Sequence, residues 1–163
     1  MKLIPYKLVV FVLFSILFSS CVKDDGIYFN EISDVKQEYS KLELDIFNLV
    51  NMHRETKGIQ ALEKMNIVSS VALTHTNYMV ETGKVDHFNF PERHENLVLK
   101  AEAQMVGENV AYGFNSAKGV VEAWLQSKEH KEIIENDAYT HFGISIGKDL
   151  ENRNYFTQIF IKR

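Results

Sequence analysis

Apolar residues recur at helical spacing over most of this chain and at alternating spacing around residues 105–112 and near the end, which predicts several helices and a few strands. Residues 40–57 carry Leu42, Leu44, Phe47, Leu49 and Val50 inward, with Ser40 placed to cap the helix and Gly58 to stop it. Residues 59–62 read as an extended connection that drops Leu62 into the core. Asn66 is expected to cap a second helix, whose stripe of Val68, Val71, Ala72, His75, Met79 and Thr82 ends at Gly83. His75 shares that apolar face and reads as a core residue. Residues 84–89 then form a loop carrying Asp86, His87 and Phe88. Pro91 and Glu92 open a third helix over residues 91–104, with His94 solvated.

The run from Met105 to Tyr112 alternates enough for a strand. Ser116 is placed to cap a further helix with Val120, Val121, Trp124 and Leu125 inward, and continuing that helix leaves Ser127 on the same side with His130 further round. Residues 142–147 and 155–161 read as two strands joined by a polar turn. In the last strand Tyr155, Ile159 and Ile161 fall on one face and Phe156 and Phe160 on the other. Both faces of the sheet therefore need covering, most simply by helices. The fold class expected is α+β, a three-layer α-β-α sandwich with a small antiparallel sheet.

Within this frame the stretch from Gly107 to Gly113 sets a carboxylate, Glu108, beside the carboxamide of Asn109 in an otherwise apolar run. Desolvating a carboxylate is costly unless hydrogen-bond donors or a cation stand near it. His87 and His130 are the candidates, lying 21 residues before and 22 after Glu108. Asn109 reads as structural, its amide closing the backbone nearby. Tyr155 and Gln158 are placed either to line the mouth of a cleft or to serve as ordinary strand residues. His53 and Arg54 suit the negative end of the first helix.

The N-terminus carries a different message. Lys2 and Lys7 precede an apolar run over residues 8–18, too short for the ~20 residues that a spanning helix needs, and the pattern predicts an export signal over residues 1–20. Phe18-Ser19-Ser20-Cys21 then resembles a bacterial lipobox, which makes Cys21, the sole cysteine, the acylated first residue of the mature protein. Asp24 and Asp25 resemble the acidic tag that carries some lipoproteins to the cell surface. A polar linker over residues 21–36 and one domain over residues 37–163 complete the expected organisation. Without residues 1–20 the chain keeps 16 basic against 22 acidic side chains, a net charge of −6. An acidic chain with no basic cluster lacks the electrostatic attraction that nucleic-acid binding requires.

Taken in order, these pieces resemble the CAP superfamily of cysteine-rich secretory, antigen 5 and pathogenesis-related 1 proteins, in its bacterial branch. They are His53-Arg54, Asp86-His87-Phe88, Gly107-Glu108-Asn109-Val110-Ala111, the run from Val121 to Ser127 with His130, Gly143-Ile144-Ser145-Ile146, and Tyr155-Phe156-Thr157-Gln158-Ile159-Phe160. The resemblance implies an α-β-α sandwich with a cleft where two His and two Glu meet in eukaryotic members, some of which hold a divalent cation such as zinc. His87 matches the first His and Glu108 the first Glu. Ser127 stands where that pattern has its second Glu, and Tyr155 where it has its second His. His130 matches a histidine usual in bacterial members and supplies a third donor.

Three functions follow as expectations. The first is an exported, surface-anchored lipoprotein, held at the bacterial outer membrane through Cys21 and binding a lipid, glycan or protein. The second is a zinc-dependent hydrolase of peptide or cell-wall substrates, in which His87, Glu108 and His130 hold the metal and leave a fourth position to water. The third is a structural envelope protein with a vestigial cleft, in which Glu108 accepts hydrogen bonds from His87 and His130.

Overall fold

The computed structural model describes residues 38–163. The expected export signal, the acyl site at Cys21 and the linker lie outside the described residues.

Helix α1, Lys41–Thr56, starts at a capping box: Ser40 Oγ accepts from the Glu43 amide at 3.3 Å, and Glu43 Oε2 accepts from the Ser40 amide at 2.7 Å. The other oxygen of Glu43 accepts from the Ile146 amide at 3.0 Å, so the same side chain that starts the helix also ties it to the sheet. A two-residue strand, β1 (Glu63–Lys64), leads into α2, Asn66–Thr82. Asn66 does not cap α2. It is the first helical residue, Met65 holds the cap position, and no side chain bonds there. Gly83 ends α2 in the left-handed conformation, φ 67°.

Helix α3 spans Phe90–Ala101, three residues shorter at its end than the spacing predicts, because Glu102 turns left-handed at φ 55°. Strand β2, Met105–Tyr112, is followed by α4, Ala117–Gln126, which Ser116 caps through the Gly119 amide at 3.1 Å. The expected single helix through His130 is broken. Ser127 adopts extended backbone, φ −84° and ψ 127°, and a separate helix α5 covers Lys128–Ile134. Strands β3, His141–Lys148, and β4, Asn154–Lys162, complete the chain.

The sheet order is β1-β3-β4-β2. Both long neighbours of β4 run antiparallel to it, and β1 adds two parallel residues against β3. One face lies under α2 and α3, where Ile159, Ile161 and Tyr155 pack with Val68, Val71, Met79 and Leu97. The other lies under α1, α4 and α5, where Phe156 and Phe160 pack with Ile46, Val50, Val121, Trp124 and Ile134. These are the two faces that the alternation in the last strand calls for. Contact between α2 and β3 is so close that a Cβ on Gly143 would overlap the backbone of Val68 and Ser69. Strand β2 is left as one edge of the sheet, and Glu108 sits at its middle.

Candidate functional site

Side chains alternate along β2, so Glu108 faces α2 and α3 while Gly107 and Asn109 face α5. The partner of Glu108 comes from α3. Arg93, Leu97 and Ala101 recur every fourth residue and form the buried stripe of that helix, which places a guanidinium at the sheet. Arg93 Nε bonds Glu108 Oε2 at 2.7 Å and Arg93 Nη2 bonds Oε1 at 2.8 Å, a two-pronged pair with both side chains 1% exposed. His87 Nδ1 reaches Oε1 at 2.8 Å from the loop over residues 84–89. Burial opposes the ionised form of Glu108, but the bonds from His87 and Arg93 outweigh it and hold the carboxyl below the usual range.

The loop carrying His87 is fixed from several sides. His75, fully buried in α2, donates Nε2–H to the Asp86 carbonyl at 2.7 Å, and Arg93 Nη1 donates to the Phe88 carbonyl at 2.6 Å. Asp86 Oδ1 accepts from the Phe88 amide, and the Phe90 amide bonds the His87 carbonyl. His75 lies 3.9 Å from Glu108 Oε1, yet its proton is directed at the loop. Burial, together with the neighbouring Arg93 charge, pushes the His75 imidazole below its ordinary pKa and keeps it neutral. Because the ionised Glu108 accepts, His87 Nδ1 carries a proton. Its side chain is 50% exposed, and its Nε2 has no hydrogen-bond partner among the described residues.

The structure therefore brings His87 and Glu108 together and gives His130 a different part. The break at Ser127 re-aims α5, and the His130 imidazole makes no hydrogen bond or ion pair with Glu108. Its backbone carbonyl instead accepts from Asn109 Nδ2 at 3.3 Å. Burial and the nearby His87 lower the His130 pKa. Asn109 also bonds Gln158 Oε1 at 3.1 Å, both side chains lying inside the layer under α5. Ser127 Oγ turns to Glu129, and Tyr155 is buried against Tyr112 on the α2 side of the sheet, four residue pairs along from Glu108. Neither lines the surface beside Glu108.

That surface is a depression of about 360 Å³ at the β2 edge. Val106, Gly107 and Glu108 form its floor, His87 and Phe90 one wall, and Ile133 and Tyr139 the other. Tyr139 lies over Gly107, where any Cβ would overlap the phenol hydroxyl. Arg54 holds that wall in place. Fully buried in α1, it donates Nη1 to the carbonyls of Ile134 and Asn136 at 2.7 and 2.9 Å, Nη2 to Tyr139 at 3.2 Å and Nε to Gln60 at 2.9 Å. Its role is structural, as expected, but it binds carbonyls of other segments rather than the end of its own helix.

Three of these residues escape the sequence reading: Arg93, His75 as a loop clamp, and Tyr139. For Arg93 a signal was present. An arginine at the head of an apolar i, i+4, i+8 stripe must be buried, and a buried guanidinium requires an acceptor such as Glu108. Tyr139 follows the helices in an irregular segment and left no periodic mark.

Residues 47–160 match the family described as "CAP: Cysteine-rich secretory protein family". The chain belongs to the CAP family. Among curated proteins it is 32% identical over 126 residues to the uncharacterized membrane protein YlbC of Bacillus subtilis (strain 168), covering 74% of this chain and 34% of that one. It is 26% identical over 135 residues to the uncharacterized protein YkwD of the same strain, covering 81% of this chain and 51% of that one. The CAP chain thus spans about a third and about half of these relatives. Among solved structures, an outer surface protein from Borrelia burgdorferi superposes with TM-score 0.69 at 22% identity, over 80% of this chain and 99% of that one. An extracellular SCP-domain protein from Bacillus anthracis str. Ames gives 0.64 at 20% identity, over 78% and 45%. These likenesses establish the α+β sandwich.

The CAP resemblance raised zinc, and the donor set can be tested against it. Among the described residues no group of three or more His, Cys, Asp or Glu side chains is arranged to hold a metal ion. Both oxygens of Glu108 are engaged by Arg93, whose positive charge opposes a second cation at the same carboxylate. As arranged, Glu108 orients His87 and is not an open ligand.

Proposed function

We propose that this CAP domain is a binding module displayed outside the cell and tethered to the membrane through acylated Cys21, with the depression at the β2 edge as its ligand site. One observation carries the reading. In a depression lined mainly by Phe90, Val106, Ile133 and Gly107, His87 Nε2 and the Tyr139 hydroxyl have no hydrogen-bond partner among the described residues. An apolar lining with a few convergent polar groups is the usual make-up of a ligand site. The buried Arg93–Glu108 pair supports binding over zinc-dependent hydrolysis, since it engages the carboxylate that the hydrolase reading needs as a ligand. Names among the similar proteins, an outer surface protein, an extracellular protein and a membrane protein, support display outside the cell.

The ligand site is tested by titrating decanoate into ¹⁵N-labelled protein. Shifts clustered on His87, Phe90, Val106, Ile133 and Tyr139 are expected, and shifts scattered over the surface would defeat the reading. Calorimetry with zinc is expected to show no stoichiometric binding; tight uptake lost in His87→Ala would restore the metal centre. The Cys21→Ser protein is expected in the soluble fraction, and unchanged partitioning into detergent would remove the anchor.

A further inference from the structure

The strand segment Val106, Gly107 and Glu108 runs along the depression, and the ladder determines which way its main-chain polar groups point. In β2 the odd-numbered residues exchange hydrogen bonds with β4, a pattern that the Gly113 amide continues to the Asn154 carbonyl at 2.8 Å. The Ile161 carbonyl confirms the phase from the other side. It faces β3, accepting from the Thr140 amide at 2.9 Å, so its partner in β2, Val106, receives no bond from it. The amides and carbonyls of Val106, Glu108 and Val110 therefore turn away from β4, toward the free edge.

At Val110 that edge is closed, since Trp124 Nε1 donates to the Val110 carbonyl at 3.0 Å. At Val106 and Glu108 no side chain among the described residues takes that place, and both residues line the depression. Glu108 as a whole residue is 4% exposed while its side chain is 1% exposed, so its small accessible area belongs mainly to the main chain.

We propose that the depression takes an extended peptide, which adds to β2 as a short fifth strand across Val106, Gly107 and Glu108. This rests on the reading of the depression as a ligand site and names the chemistry of its ligand. Outward amides and carbonyls at strand spacing match another extended backbone, which would satisfy them, whereas an acyl chain fills only the apolar part of the depression and leaves them unpaired. The new strand would continue an existing sheet. Its alternating side chains would meet His87 and Phe90 on one side and Ile133 and Tyr139 on the other. Three residues of open edge span about 10 Å, which sets a short footprint and weak, millimolar-range affinity for an unoptimised sequence.

The full chain carrying Cys21→Ser, ¹⁵N-labelled, tests this against acetyl-Thr-Val-Thr-Val-Thr-amide, the same peptide N-methylated at every residue, and decanoate. The peptide is expected to shift the Val106 and Glu108 amides saturably and to slow their hydrogen exchange, while the N-methylated peptide does neither. Val106→Pro removes an outward amide without touching a bond to β4, a change edge strands tolerate, and is expected to weaken the peptide by about tenfold. Equal effects from both peptides, or no effect from either while decanoate still fills the depression, overturn the peptide inference and leave the ligand site standing. Should neither peptide nor decanoate perturb the depression, both readings fall. If Val106→Pro does not fold, the comparison of the two peptides still decides.

Discussion

Arg93 grips both oxygens of Glu108, at 2.7 and 2.8 Å, in a pocket that excludes water from both side chains. Removing one member of such a pair leaves an uncompensated buried charge, which costs about 3–5 kcal/mol. Arg93→Met is therefore expected to lower the urea midpoint sharply. The double change Arg93→Met with Glu108→Leu removes both charges and is expected to recover most of that loss. A double variant no more stable than Arg93→Met would show that the guanidinium matters chiefly through the Phe88 carbonyl that it also holds.

Acid should weaken the domain in two stages. His75 titrates below its ordinary 6.5 in the folded chain, so on acidification the unfolded chain takes a proton first. The stability that this difference contributes is complete above about 6.5 and is lost as pH falls toward the folded value. Glu108, held below its ordinary 4.5, behaves alike one stage lower: its contribution is present above 4.5 and is lost as pH falls through the depressed folded value. Urea midpoints measured across pH 8 to 3 are expected to fall in both windows. The upper fall should be reduced in His75→Gln, and a flat profile between pH 7 and 5 would contradict the buried neutral imidazole.

Two glycines without positive φ should respond differently to alanine. A Cβ on Gly143 would overlap backbone of α2, which cannot move without shifting the helix, whereas on Gly107 the obstacle is the tip of Tyr139. Overpacking of this kind costs about 1–3 kcal/mol and occasionally more, and Gly143→Ala is expected at the upper end or beyond. Gly107→Ala should cost less and be partly relieved by Tyr139→Phe. The thermal midpoints of the three variants check the order.

Arg54 serves four carbonyls from one buried guanidinium. Hydrogen bonds to a charged donor contribute about 1.5–3 kcal/mol each, and losing several together, as in Arg54→Met, should exceed about 3 kcal/mol. Arg54→Lys keeps the charge without the planar fork and is expected to recover less than half of that. The local readout is amide exchange at residues 134–139, which should quicken in both variants. Unchanged exchange there would mean that Arg54 does not hold the Tyr139 wall.

Apart from β1 and the separate helix α5, the order of helices and strands was legible in the sequence, as were both buried faces of the last strand and the family, because local periodicity acts over a few residues and leaves marks at fixed spacing. His87 and Glu108 were legible as a pair for a related reason: a carboxylate in an apolar run must find donors. Which donors it finds is decided by packing. Arg93 arrives because α3 crosses the sheet at that height, and His130 meets Asn109 through its carbonyl from a separate helix because the chain breaks at Ser127, a departure from helix that no apolar stripe records. Sequence thus determined most of the elements and the need for donors or a cation beside Glu108, while only the tertiary arrangement decided the partner, since a pair 15 residues apart in two elements meets at a distance set by how those elements pack.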